Sequence, residues 1–99
     1  MGVSLIRIDY EDTITKANEM RGHSFVLRYQ AYKLCLLKDS IKRNWDSPAS
    51  KVFIAKLEKQ IEDLEISAKK MKRTSDLIEN VAKRIYQTDL DVEENIKRL

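Results

Sequence analysis

Very few side chains in this sequence could start a reaction. His23 is the only histidine, so an imidazole-based triad would have to be built on it. It stands beside Gly22 and Ser24 with no neighbouring carboxylate to orient it, and it reads as an exposed or packing residue. Cys35 is the only cysteine, which leaves no intrachain disulfide and no thiolate zinc site. Nothing nearby in sequence would activate its thiol, so it reads as a small apolar filler. Glu58, Glu62, Asp63 and Glu65 are interleaved with lysines, and no Glu-x-x-His pair of the kind that binds metal in a helical bundle occurs. With Gly2 and Gly22 the only glycines, no phosphate-cradling loop can form. These residues argue against an enzyme and imply no metal and no cofactor.

The remaining candidates are recognition residues, and the elements that carry them follow from composition. The chain has 99 residues, room for one domain at most. Two glycines and one proline are too few for a turn-rich β protein, and the abundance of Leu, Ile, Ala, Lys, Glu and Arg favours helix. The net charge is +3; residues 1–45 carry 8 basic and 5 acidic side chains and residues 46–99 carry 11 of each. The surplus lies in the first half and is not gathered into the block that a nucleic-acid or membrane-surface binder would need. No apolar run is long enough to span a membrane, and the N-terminus lacks the organisation of a cleaved signal peptide. Export, if it occurs, is expected by a route without such a peptide.

Asn44-Trp45-Asp46-Ser47-Pro48 is the one place where helix-breaking chemistry interrupts two long helix-forming runs. Pro48 disfavours helical dihedrals in the residue before it, yet suits the first turn of a new helix with Ser47 or Asp46 as N-cap. The expected fold is all-α: two long antiparallel helices in a single hairpin domain, helix 1 over about residues 9–45, a turn at about 46–48 and helix 2 over about 48–86. Val3, Leu5, Ile6 and Ile8 form an apolar lead expected to run extended before Asp9 as N-cap. The tail, residues 87–99, either extends helix 2 or frays. Trp45 and Phe53 are placed to close the apex by packing on the opposite helix.

Each helix carries a stripe with steps of three and four. In the first it runs Ile14, Ala17, Met20, Ser24, Leu27, Ala31, Leu34, Lys38, Ile41 and Trp45. In the second it runs Phe53, Leu57, Ile61, Leu64, Ala68, Met71, Ser75, Ile78, Ala82 and Ile85, widened by Ile54, Leu77 and Val81. The first helix has a further row, Phe25, Tyr29, Tyr32 and Leu36, nearly opposite its stripe at about 100° per residue. A helix in a two-helix hairpin needs only one buried face. The extra row is therefore expected to meet a partner.

The placement of these pieces resembles the WXG family, the early-secretory-antigen-like substrates and partners of type VII secretion systems. The matching residues are the Ile6-x-Ile8-Asp9 opening, the Trp45-Asp46-Ser47 turn, Phe53 after it, and Tyr86 with Asp89 and Asp91 behind it. Ser47 stands where the family turn has glycine. Leu90 stands four after Tyr86, where the family's export motif has an acidic residue.

The resemblance implies pairing of hairpins into a four-helix bundle, as a homodimer or with a related hairpin protein. It further implies a secretion ATPase as the receptor, with Trp45–Ser47 and the tail of the paired chain as a composite export signal. An LXG toxin is another partner it suggests. The protein would be secreted, and cytoplasmic before export. The readings set against it are a non-exported coiled-coil adaptor or chaperone and, more weakly, a helical protein associated with nucleic acid.

Overall fold

The computed structural model describes the backbone from Val3 to Leu99 and the side chains of Arg7 and of Asp9 onward. Two helices, α1 (Val3–Asn44) and α2 (Pro48–Arg98), form a helical hairpin, with no strand among the described residues.

The turn is built by serine chemistry. Ser47 is the N-cap of α2: its Oγ accepts the Ser50 N–H at 3.1 Å, and Ser50 Oγ in return accepts the Ser47 N–H at 3.1 Å. This is a capping box with serine in the place usually taken by Glu or Gln, and Pro48 occupies the first helical position, where its missing N–H costs nothing. No residue among those described has positive φ, so Ser47 fills the glycine position of the resembled motif without strain.

The first helix does not wait for Asp9. It begins at Val3, and Asp9 lies inside it, its main-chain carbonyl accepting a bond from Thr13 Oγ1 at 2.9 Å. A capping residue ends a helix only where its neighbours resist helical dihedrals, and no glycine or proline lies between Val3 and Asp9. The extended lead is thus corrected to helix, while the side chains of Ile6 and Ile8 in the opening motif lie outside the described residues. At the other end α2 runs to Arg98, so the tail extends the helix.

Contacts gather the hairpin into two units, Gly22–Met71 and residues up to Arg21 with Lys72–Leu99. In the turn-containing unit, Ser24, Ala31 and Ile41 of α1 and Leu57, Ile61 and Ala68 of α2 are buried, with Leu27, Leu34, Ile54, Leu64 and Met71 half-buried beside them. These positions recur every seven residues, the repeat of a coiled-coil seam. Ser24, the polar exception, donates from Oγ to the Ala68 carbonyl at 2.8 Å. In the other unit Ala17 and Ser75 are fully buried, and Ser75 Oγ satisfies itself on the Lys72 carbonyl at 2.7 Å.

Two parts of the expected stripes are displaced. Trp45 lies beyond the last residue of α1 and is 65% exposed, and Phe53, one position before the seam residue Ile54, is 45% exposed. The apex is closed by Ile41, Ile54 and Leu57 instead. Near the far end of α2, Leu77, Val81 and Ile85 stay exposed while Ala82 and Tyr86 are half-buried. The step from Ala82 is four residues to Tyr86, not three to Ile85, as expected when a seam drifts toward the natural helical period.

Candidate functional site

Because Ser24, Leu27, Ala31 and Leu34 face α2, the row at Phe25, Tyr29, Tyr32 and Leu36 is turned outward. Its members are between 51% and 73% exposed. The neighbouring Val26 and Leu37 are exposed as well and widen the apolar strip on one side of the row. Lys33 Nζ lies 4.7 Å from the centroid of the Tyr29 ring, a cation–π contact that places a positive charge within the row. Beside it Arg28 shares a shallow recess with Glu65 and Lys69 of α2. Cys35 is half-buried and His23 exposed. The four expected interface residues thus share one continuous surface of α1.

The turn residues make a separate feature of the same unit. Trp45 lines a small recess with Lys42, Asp46, Ser50, Lys51 and Ile54, and Ser47 is occupied in the capping box. Phe53 is not among the residues around this recess.

The tail residues belong to the other unit. Tyr86 is half-buried, and its ring stacks on Tyr10 with centroids 4.5 Å apart and planes 14° from parallel. Together they border an apolar groove of about 480 Å³ whose remaining wall includes Leu77, Val81 and Ile85, with Asp9 and Asp89 among its lining residues. Asp91 is exposed and accepts a hydrogen bond from Gln87 Nε2 at 3.0 Å. Tyr86 and Asp89 therefore share a groove, whereas Asp91 is engaged elsewhere.

Two contributors escaped the sequence reading. Tyr10 sits seven residues before Ala17, and so on the same seam, which was the available signal. Arg21 of α1 reaches Asp76 at 3.0 Å and Glu79 at 3.1 Å on α2, and Asn18 Oδ1 accepts from it at 2.7 Å. The hydrogen bond to Asp76, followed by the attraction of Glu79, raises the guanidinium pKa above its ordinary value against the opposing effect of desolvation. An arginine flanking a seam is a common register clamp, and its position beside Met20 was the available clue.

No group of histidine, cysteine and carboxylate side chains able to hold a metal occurs among the described residues, and no described helix is long and apolar enough to cross a membrane. No protein-family model, curated protein or solved structure matches this chain.

Proposed function

We propose that this protein works by helix-to-helix recognition, pairing through the Phe25–Tyr29–Tyr32–Leu36 row, and that it is a substrate or co-secretion partner of a type VII secretion system. The observation that carries the pairing is the exposure of all four residues on a helix whose opposite face is already committed to α2. Together they present roughly 400 Å² of largely aromatic surface, the size at which a patch is commonly functional. The thinness of the seam supports the same reading. Its buried apolar residues among those described are Ala17, Ala31, Ile41, Leu57, Ile61 and Ala68, half of them alanines, so a second molecule has much to add.

The export part rests on the WXG resemblance: a hairpin with Trp45 and Ser47 at its turn, Phe53 just beyond and a Tyr86–Asp89–Asp91 tail on a helix. In this reading a paired hairpin offers turn and tail to the secretion ATPase, and an LXG toxin is a natural cargo for a partner of this type. The test is to compare culture supernatants of the producing bacterium with and without that ATPase. The protein is expected outside the cell only when the ATPase is present, and retention in both strains would overturn export.

One observation favours a second reading, a coiled-coil adaptor that is not exported. The Tyr86 ring is taken up by Tyr10, and the position four residues on holds Leu90. Retention in both strains, together with intact pairing through the row, is the result this adaptor predicts.

A further inference from the structure

We propose that the row takes a different polypeptide, an amphipathic helix whose apolar face is flanked by carboxylates, and not a second copy of the same row; this rests on the reading that the row is a pairing face. Charge decides between the two. From Gly22 to Lys38 α1 contains no carboxylate at all, while Arg28 and Lys33 stand among the row residues. Neither makes an ion pair among the described residues. Lys33 lies over Tyr29, and beside Arg28 the negative charge of Glu65 is offset by the positive charge of Lys69. Lys42, further along, is already paired with Glu58 at 3.7 Å.

Two copies of the row can meet in only two simple ways. Arg28 and Lys33 flank the row on opposite sides at about 100° per residue. Packed parallel, the two copies therefore set Arg28 of each beside Lys33 of the other. Packed antiparallel, with Phe25 against Leu36 and Tyr29 against Tyr32, each cation instead lies beside its own image. Either arrangement is isologous and makes two like-charge contacts. Asp39, the nearest carboxylate on α1, lies beyond Leu36 and outside the paired span. A helix carrying Leu or Ile at steps of three and four with Glu or Asp alongside covers the same aromatic surface and gives both cations a partner. Juxtaposed like charges act mainly against the wrong partner, so this arrangement is a specificity device.

The test uses the full chain and two synthetic helical peptides with an identical leucine row, one flanked by glutamates and the other by lysines. Fluorescence anisotropy is expected to show at least about fivefold tighter binding of the glutamate peptide. The preference should shrink as salt rises from about 0.05 to 0.5 M. Tyr29→Ala with Tyr32→Ala should abolish binding while far-ultraviolet circular dichroism stays unchanged, since both side chains are exposed. Arg28→Glu, which places a carboxylate beside Lys33 of the other copy in a parallel self-pair, should raise the sedimentation mass toward that of a dimer.

Equal affinity for the two peptides would overturn the inference. A wild-type dimer dissolved by the double tyrosine substitution would overturn it too, leaving the pairing reading intact. Absence of any row-dependent association, with peptide or with self, would overturn both.

Discussion

The hydroxyl of Ser24 on α1 donates a 2.8 Å hydrogen bond to the main-chain carbonyl of Ala68 on α2. A side chain as short as serine reaches the backbone of a neighbouring helix only where the two helices approach closely. Ala31 on the same face of α1 and Ala68 itself allow that approach, and all three residues are buried. Replacing Ser24 with Ala should cost about 1 kcal/mol, the net worth of a buried hydrogen bond. Ser24→Leu should cost more, about 1–3 kcal/mol, because the added carbons must push the helices apart. Urea denaturation of the three proteins checks the order, and a neutral or stabilising Ser24→Leu would contradict the close approach.

Gly22 provides a test with the opposite sign. It lies within α1, and a Cβ built there meets nothing within 4 Å. Gly22→Ala should therefore raise stability by about 0.5–1 kcal/mol through helix propensity and a smaller unfolded-state entropy. The urea midpoint should rise with an unchanged slope, and a fall would mean that glycine serves a purpose absent from the packing described here.

The division between what was legible in the sequence and what was not follows physical lines. Pro48 and the serines around it announced the turn, because proline acts on its own neighbours and needs no tertiary context. The seam and the outward row were legible because a seven-residue repeat and its opposite face are properties of one helix. Asp9 misled as a start because capping preference is weak against a run with no breaker before it. Trp45 and Phe53 misled because hydrophobicity alone does not say which of two adjacent positions, Phe53 or Ile54, meets the other helix. Tyr10 with Tyr86 and Arg21 with Asp76 depend on the register between residues far apart in the chain, which periodicity does not specify.

The Tyr10–Tyr86 stack allows structural and signalling roles of Tyr86 to be separated. A double-mutant cycle with alanine at both positions should give a coupling of about 0.5–1.5 kcal/mol, as for other aromatic pairs. Tyr86→Phe keeps the ring and should leave the thermal midpoint nearly unchanged. If the hydroxyl is read by an export receptor, that variant folds normally yet accumulates inside the cell. A destabilised Tyr86→Phe protein would show that the hydroxyl supports the fold.

The most direct test of the central claim, that α1 keeps one face for α2 and offers the other to a second molecule, is photocrosslinking in producing cells. A benzophenone amino acid is placed at Tyr32 in one strain and, as a control, at Lys59, an exposed position on α2. The account predicts a single adduct of discrete higher mass from position 32, lost when Tyr29→Asp is added, and none from position 59. No adduct at position 32, or the same adducts from both positions, would contradict it.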